Sequence, residues 1–352
     1  MMRRTPSTSG EDQEPKFPSP SGKDREPKFP SPSGGGQGGG TGGTQGYYDH
    51  PVVRRPVWTW EVPAYFWLGG LGAGAFVTAS LAQTFGSADD RRVAAEGFYV
   101  AAAALAPCAP LLIADLGRPD RFHHMLRIFK PLSPMNLGAW TLTGLTPVAF
   151  ARAASHAADT GLLRGALRAL ARLAPRRLLE VTGSVLGLVL AGYSGVLLGA
   201  TNVPLWAKSK LLGGVFMASA LSSGSAAVTL QAANRGAPEA TLHRLAAVES
   251  AASLGEMAVI TGYLLQSGRA ARPLTTGRFA PPFWIGAIGA GTLLPLLLHR
   301  LTRRRHGRTL RSLSTAAALC SMAGSLALRW SIFEAGKESS EDQAASFDLS
   351  KA

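Results

Sequence analysis

The chain has 352 residues, of which 46% are hydrophobic and only 16% are charged. Soluble domains carry about 25% charged residues, so this composition leaves too few polar groups to cover a water-facing surface. The formal net charge is +14. The basic residues stand in clusters between apolar runs, which indicates a membrane protein among anionic headgroups rather than a nucleic-acid-binding protein.

Residues 1–56 are predicted to be a disordered tail. The stretch "EDQEPKFPSPSG" (11–22) recurs almost unchanged as "KDREPKFPSPSG" (23–34), and a glycine-rich run follows. Proline, glycine, serine and charged residues bury too little apolar surface to offset the entropy that is lost on ordering. The tail also lacks the apolar core and the small-residue cleavage site of a signal peptide.

Eight apolar segments follow the tail, and each is predicted to be a membrane-spanning helix. About 20 helical residues cross the ~30 Å hydrocarbon core, and in lipid every backbone polar group must be bonded within its own helix. Small residues in "GGLGAGAFVTAS" and "SALSSGSAA" predict close helix contacts. The segments are 63–85, 93–114, 137–153, 179–200, 211–233, 246–266, 280–299 and 313–333, and the third could begin nearer Ser133.

The predicted fold is therefore an all-α integral membrane protein, an eight-transmembrane-helix bundle over residues 57–335, with a short polar tail at 336–352. The loops after the odd-numbered segments carry sixteen lysines and arginines, against twelve near the membrane on the other side. The positive-inside rule then places both termini outside. Arg164, Arg168 and Arg172 recur every four residues among Leu and Ala, which predicts an amphipathic helix on the cytoplasmic face.

The metal-ligating residues restrict the redox chemistry that this protein can support alone. None of its seven histidines lies in the middle of a predicted span, where a buried pair of haem ligands would have to lie. Its two cysteines, Cys108 and Cys320, are fewer than the four or so thiolates of an iron–sulfur cluster. We expect no metal site, so a redox role needs a diffusible quinone and a separate electron-carrying subunit.

Four ionisable residues lie inside the predicted spans and are candidates for a proton path. A charge at mid-bilayer costs ~2.5–3.5 kcal/mol even on the more lenient scale, so each is a functional candidate. Glu249 and Glu256 are seven residues apart and fall on one helix face, with Glu256 deeper in the membrane. The alternative is that Glu256 pairs with Arg329 or stays protonated between helices. The four residues are Glu96, Glu249, Glu256 and Arg329.

Three stretches place polar and aromatic side chains at the predicted outer ends of the helices: "WTWEVPAYFWLGG" (58–70), "DLGRPDRFHH" (115–124) and "AGYSGVLLGATNVPLW" (191–206). A tyrosine, a carboxylate and a histidine beside apolar walls suit a quinone headgroup and its protons. The quinone-binding candidates are Glu61, Tyr65, Asp115, Arg118, His123, Tyr193, Asn202 and Trp206.

Each of these candidates also has a purely structural interpretation. The tryptophans fit an interfacial aromatic belt, and Tyr193 fits a hydrogen bond between helices. Segment 115–124 fits a salt-bridged lid in which Asp115 pairs with Arg118 or Arg121.

Four stretches in order resemble the NrfD/PsrC family, the membrane subunits of polysulfide reductase and related molybdoenzyme complexes. They are "YFWLGGLGAGAF" (65–76), "LLIADLGRPDRFHHMLRIFKPLSPMNLGAW" (111–140), "GYSGVLLGATNVPLW" (192–206) and "RWSIFEAG" (329–336). The resemblance implies a quinone-reactive anchor for anaerobic respiration in the bacterial inner membrane. Such an anchor uses menaquinone or ubiquinone, holds no haem or iron–sulfur cluster and is not catalytic alone.

The same resemblance implies two partners, a ferredoxin-like four-cluster iron–sulfur subunit and a molybdopterin catalytic subunit. Tyr193 in "GYSG" matches the tyrosine implicated at the family's outer quinone site. The Asn and His that the family uses at the start of the first span are absent from "TWEVPAYF", where Glu61 and Tyr65 are the available replacements. The other hypotheses are a proton or solute transporter, which typically shows inverted repeats that we do not find here, and a passive anchor without a quinone site.

Overall fold

The computed structural model describes residues 56–341, and within that range the chain forms helices and turns without a β-strand. The predicted tail lies outside the described residues except for its last position. The α-helices are α1 Glu61–Phe85, α2 Ala88–Leu105, α3 Cys108–Ala114, α4 Pro134–Asp159, α5 Gly165–Leu173, α6 Arg176–Gly199, α7 Pro204–Ala207, α8 Leu212–Asn234, α9 Glu239–Ser267, α10 Arg272–Thr275, α11 Leu294–Thr302 and α12 Gly307–Ser339. Segments Pro119–Leu126 and Gly268–Ala271 are 3-10 helical, and Pro282–Leu293 is a π-helix that continues into α11.

The helices correspond to the predicted segments, and the all-α membrane fold is confirmed. Among the described residues, six helices are long and apolar enough to cross a membrane: α1, α2 with α3, α6, α8, the π-helix with α11, and α12. The third and sixth predicted spans form α4 and α9, of 26 and 29 residues, which are long enough to cross but lack an apolar stretch like those of the other six. Eight crossings therefore stay a prediction. Helix α12 continues four residues beyond the predicted domain end at 335.

The second predicted span is broken between α2 and α3, and proline explains the break. Pro110 has no N–H, so it cannot donate to the carbonyl of Ala106, which lies in the turn between the two helices. The π-helix before α11 was not predicted. Its glycine-rich sequence lets it lie against α12, where a methyl group on Gly291 would overlap the backbone of Gly324.

Helices α1 and α8 cross at a distance that only small residues allow. A methyl group on Gly74 would overlap the backbone carbonyl of Ala220, and one on Gly224 would overlap the backbone of Gly74 and Ala75. These residues belong to the two small-residue stretches that predicted close contacts. In lipid such contacts hold helices together through van der Waals packing, because helix burial gains little from the hydrophobic effect there.

The predicted amphipathic helix is α5. The leucine side chains of Leu167, Leu170 and Leu173 are 64%, 68% and 79% exposed, so no other part of the described structure covers this apolar face. The Arg168 guanidinium donates to the carbonyl of Ala158 at 3.1 Å. An apolar face beside arginines is typical of a helix that lies in the headgroup region.

Two polar contacts join helices on the side where α9 begins. Arg152 of α4 and Glu180 of α6 form a buried ion pair, with Nη2 and Oε1 2.8 Å apart. At the start of α12 the backbone N–H of Gly307 donates to Glu239 at 2.6 Å, and His306 Nδ1 lies 2.7 Å from the same carboxylate. The hydrogen bond from Gly307 and the neighbouring imidazole together lower the pKa of Glu239.

Candidate functional site

A small cavity lies where the start of α1, the end of α3, the start of α4 and the end of α6 meet. Its volume is about 80 Å³. Its walls are mostly apolar, and three of its lining residues carry an acidic or phenolic group: Tyr65, Asp115 and Tyr193. The lining residues are Trp58, Val62, Tyr65, Phe66, Leu112, Asp115, Leu116, Met125, Met135, Ala139, Tyr193 and Leu197.

Both tyrosines are held in place by packing rather than by hydrogen bonds. Tyr65 is 2% exposed and Tyr193 is 6% exposed, and no hydrogen bond to either hydroxyl occurs within residues 56–341. The Tyr193 ring lies directly against the backbone of Gly138, because a methyl group at that position would overlap the ring and its hydroxyl. The two phenols therefore present free donors at an apolar wall, a combination that suits an oxygen atom of a flat ligand.

Asp115 is bonded to the residues just before the first helix and not to the arginines predicted for it. The Thr59 N–H and hydroxyl donate to Oδ1 of Asp115 at 3.2 and 2.9 Å. The same hydroxyl also contacts a carboxylate oxygen of Glu61. A hydroxyl carries one proton, so Thr59 can donate to only one of these carboxylates at a time. The predicted ion pair is corrected accordingly, since Arg121 lies 3.9 Å from Asp120 instead.

Trp206 supports the cavity from behind. It is fully buried, and its indole N–H donates to the carbonyl of Ile332 in α12 at 2.9 Å. The rings of Trp58, Trp206 and Phe333 stack, with centroids 5.8–6.3 Å apart. Trp58 lines the cavity and Trp206 lies one ring further away, so Trp206 is part of a buried stack and not of an exposed aromatic belt.

A clamp that the sequence analysis missed fixes the backbone between the 3-10 helix and α4. The Asn136 side-chain amide donates to the carbonyls of Met125 and Ile128 at 2.7 and 3.0 Å, and its oxygen accepts from the Lys130 N–H at 2.6 Å. These bonds position Met125 at the cavity. The sequence signal was present, because Asn136 lies within the long stretch at 111–140.

Five of the eight predicted quinone-binding residues do not line the cavity: Glu61, Trp206, Arg118, His123 and Asn202. Arg118 is exposed just before the 3-10 helix and His123 is exposed within it. Asn202 is exposed in the turn before α7. The His123 ring contacts the His124 ring, with centroids 4.4 Å apart. The structure thus brings together Tyr65, Asp115 and Tyr193, and connects Glu61 to them through Thr59.

Three of the four proton-path candidates, Glu249, Glu256 and Arg329, form a buried line of polar residues, whereas Glu96 is peripheral. Glu256 contacts Ser219, and the Arg329 Nη1 lies 3.0 Å from the hydroxyl of the same serine. No direct ion pair joins Glu256 and Arg329 among the described residues, so Ser219 mediates between them. Glu96 lies apart, half-buried, with its carboxylate 3.5 Å from the Gln231 amide and 3.9 Å from Arg235 Nε.

Arg329 is fully buried and has several partners. Its guanidinium donates to the carbonyl of Phe216 at 3.1 Å and to Ser325, and it lies 5.3 Å from the centroid of the Phe216 ring. The ring of Phe66 lies 6.2 Å from that of Phe216 and also lines the cavity. Aromatic rings therefore separate the buried line from the cavity. No group of three His, Cys, Asp or Glu side chains with metal-binding geometry occurs in residues 56–341.

The fold and the cavity define a multi-pass helical membrane protein with a small apolar site at one end of its helices. Its class is settled by sequence comparison: residues 51–339 match the family described as "Polysulphide reductase, NrfD", and the chain belongs to this family. It is 29% identical over 304 residues to the C chain of polysulfide reductase from Wolinella succinogenes, an alignment that spans 80% of this sequence and 94% of that protein. It is 27% identical over 313 residues to protein NrfD of Escherichia coli K12, with spans of 80% and 95%.

Proposed function

We propose that this protein is the quinone-reactive membrane anchor of a respiratory oxidoreductase. In this proposal it exchanges electrons with the menaquinone or ubiquinone pool and passes them to or from an iron–sulfur partner of a molybdopterin-type enzyme. One observation carries the proposal: Tyr65, Tyr193 and Asp115 converge on a single apolar cavity at the predicted outer ends of the helices. Membership in the NrfD family and the similarity to a polysulfide reductase subunit support it.

The lining residues fit a quinone headgroup in their chemistry. Valine, leucine and methionine side chains suit the ring and its apolar substituents, and Trp58 offers a face for stacking. The phenolic hydroxyls of Tyr65 and Tyr193 donate hydrogen bonds to carbonyl oxygens. A quinone supplies two-electron chemistry that is coupled to two protons.

Asp115 and Glu61 are the groups that hold and move those protons. Asp115 lines the cavity, whereas Glu61 does not, and the Thr59 hydroxyl contacts both carboxylates. Rotation of this hydroxyl exchanges its hydrogen bond between Asp115 and Glu61. A proton released in the cavity therefore reaches Glu61 by a path of two short steps.

The cavity must widen before a ring can enter. Its volume of about 80 Å³ is far below the ~300–1,000 Å³ of typical ligand pockets. Met125 and Met135 line it, and methionine side chains are flexible enough to move aside. The Asn136 clamp joins the backbone at 125–130 to α4, so the side chains are expected to move while this backbone stays in place.

The surface beside the cavity suits a protein partner. Arg118, Arg121 and His123 are exposed, and the segment that follows them exposes Phe129 and Leu132, which are 56% and 97% exposed. Basic side chains beside uncovered apolar ones are typical of a binding surface. We propose that the iron–sulfur subunit docks here, because electron transfer requires a cluster close to the quinone. In this arrangement the protein lies in the bacterial inner membrane with both termini outside.

The test is quinone-analogue binding to the purified complex, followed through quenching of tryptophan fluorescence. Tyr193→Phe removes one hydroxyl and keeps the ring, so we expect affinity to fall by up to about tenfold, the equivalent of one hydrogen bond. Tyr99→Phe is the matched control, because Tyr99 packs against His156 and does not line the cavity. Equal affinities of the Tyr193 variant and the wild type would remove Tyr193 from the site.

The same experiment separates this proposal from a passive anchor. A passive anchor holds its partners in place, so the wild-type complex would bind no quinone analogue while still assembling. Binding that is weaker in Asp115→Asn and Tyr193→Phe than in wild type, but unchanged in Tyr99→Phe, is the outcome that the proposed site requires.

A further inference from the structure

A second polar site lies at the other end of the helices, on the side where α9 begins and α11 ends. His299 of α11 is 4% exposed and Glu249 of α9 is fully buried. The His299 Nε2 lies 3.1 Å from Oε1 of Glu249. The hydroxyl of Ser321 in α12 donates to the same carboxylate oxygen at 2.6 Å. Three helices thus contribute to one buried cluster, which contains two titratable groups.

Each of the two titratable groups keeps an atom without a partner. Within the described part of the structure, Nδ1 and Nε2 of His299 and Oε2 of Glu249 have no hydrogen bond, so the 3.1 Å contact between Nε2 and Oε1 is a close approach that is not aligned as a hydrogen bond. Buried polar atoms in proteins are almost always bonded, and a buried ion pair stabilises a fold only when its remaining atoms are satisfied. A purely structural pair would therefore leave three unsatisfied atoms, whereas a pair that exchanges protons with water needs them.

A large cavity borders this cluster on the side of His299, so a small movement of the ring is enough to bring it into contact with water. Its volume is about 670 Å³, and its walls include His243, Ser250, Leu296, His299 and Arg300. This volume holds several water molecules, each of which occupies about 30 Å³ in the liquid. The cavity opens beside the arginine-rich stretch at 300–311, on the side that the charge distribution predicts to be cytoplasmic.

Buried polar groups continue from Glu249 along one face of α9. Ser253 lies one turn further on, and its hydroxyl is 2.9 Å from that of Ser222 in α8. Glu256 follows, in contact with Ser219, which bonds Arg329. At 1.5 Å per residue, Glu249 and Glu256 are about 10 Å apart along the helix axis. This separation is short enough for serine hydroxyls and one or two waters to bridge.

We infer that His299 and Glu249 form a proton-uptake site that connects the cytoplasmic cavity to the buried line ending at Arg329. A proton from cavity water binds Nδ1 of His299, and a rotation of the ring aligns the proton on Nε2 with Oε1 of Glu249, which accepts it. The imidazole is then neutral again, and one positive charge has moved inward to the carboxylate. The Ser253 hydroxyl relays the proton to Glu256. The charged or titratable groups beside His299 at the cavity are His243, Arg300 and Arg303. Glu256 lies two turns further along α9.

This inference rests on the proposed function, because quinone chemistry supplies the reason to move protons. The experiment uses the whole complex, reconstituted in liposomes that hold a pH-sensitive dye, and compares wild type with Glu249→Gln and His299→Gln. We expect quinone turnover with an uncoupler to stay within about twofold, and proton uptake per turnover to fall at least about tenfold, the lower end of proton-transfer contributions. Glu239→Gln is the matched control, since it removes an exposed carboxylate on the same helix.

A second measurement reports on the site itself. Infrared difference spectra between acidic and alkaline buffer should contain a carboxyl band that is absent in Glu249→Gln, shifted in Glu249→Asp and retained in Glu239→Gln. Proton uptake and a band that both survive in folded Glu249→Gln would overturn the inference. A wild-type complex without quinone turnover would instead refute the proposed function, and the infrared band alone would then decide whether Glu249 binds a proton.

Discussion

Replacing Gly138 by alanine tests how closely the packing of α4 controls the candidate site. The added methyl group would overlap the Tyr193 ring, and normal carbon–carbon contact at 3.5–4.0 Å requires the ring to withdraw by ~1 Å or more. Overpacking of this kind destabilises the fold by about 1–3 kcal/mol. Alanine stabilises a helix by about 1 kcal/mol relative to glycine. The net loss in the free energy of unfolding should therefore be about 0–2 kcal/mol.

The larger effect should be on ligand binding. A phenol displaced by this amount loses its hydrogen bond to the headgroup, which corresponds to a loss of affinity of up to about tenfold. The assay is fluorescence titration of the purified complex with a quinone analogue, together with its thermal unfolding. Gly144→Ala on the same helix is the control, because its methyl group would meet only the flexible tip of Leu186, at 3.2 Å.

Two results would refute this reasoning. If Gly138→Ala bound the analogue as tightly as Gly144→Ala, the position of the Tyr193 ring would not matter to the ligand. If the two variants also unfolded at the same temperature, the close contact between α4 and α6 would be absent in solution.

Three further predictions concern helix packing. Arg152→Met should cost about 3–5 kcal/mol because it leaves Glu180 buried and unpaired, and a second change of Glu180 to Leu should restore most of the lost thermal stability. Trp206→Phe should keep the ring stack but lose the hydrogen bond to the Ile332 carbonyl of α12, which keeps its bond within the helix, at a cost of about 0.5–1.5 kcal/mol and with unchanged quinone-analogue affinity. The Gly307 N–H lowers the pKa of Glu239 in the folded protein. The stability that this carboxylate contributes should therefore be complete above its unfolded pKa and be lost as pH falls through its folded pKa. Glu239→Gln should accordingly flatten the acid side of a plot of stability against pH.

The helices could be predicted because lipid leaves the backbone few alternatives. Apolar segments of sufficient length must be helical in a bilayer, and glycine at 74 and 224 indicated where two of them approach. The π-helix at 282–293 could not be predicted, because an apolar run has the same composition whichever carbonyl each N–H bonds. The break before α3 was readable from Pro110 but was interpreted as one continuous span.

The candidate site was predictable to the extent that helix topology determines it. Tyr65, Asp115 and Tyr193 were predicted together because their helices end on the same side, and the structure places them around one cavity. Arg118 and Asn202 were predicted on the same grounds and point elsewhere, because side-chain direction in a turn depends on local backbone geometry that sequence does not reveal. His299 was missed because it is the last residue of the predicted seventh span, next to a run of arginines, where burial was not expected. Its burial depends on α9 and α12, which are distant in sequence.

The guanidinium of Arg329 has a consequence for a membrane that stores a voltage. It is a permanent positive charge that is held in place by Ser219 and by the carbonyl and ring of Phe216. It lies at the end of the buried line of polar residues, next to the aromatic rings that separate this line from the outer cavity. The electrostatic energy of a second positive charge 4 Å away would be higher by about 4 kcal/mol at an effective dielectric constant of 20. Arginines exclude protons from water-selective pores by the same repulsion. A proton on the buried line therefore meets an energy barrier at Arg329, and this barrier slows leakage between the two compartments while no quinone turns over.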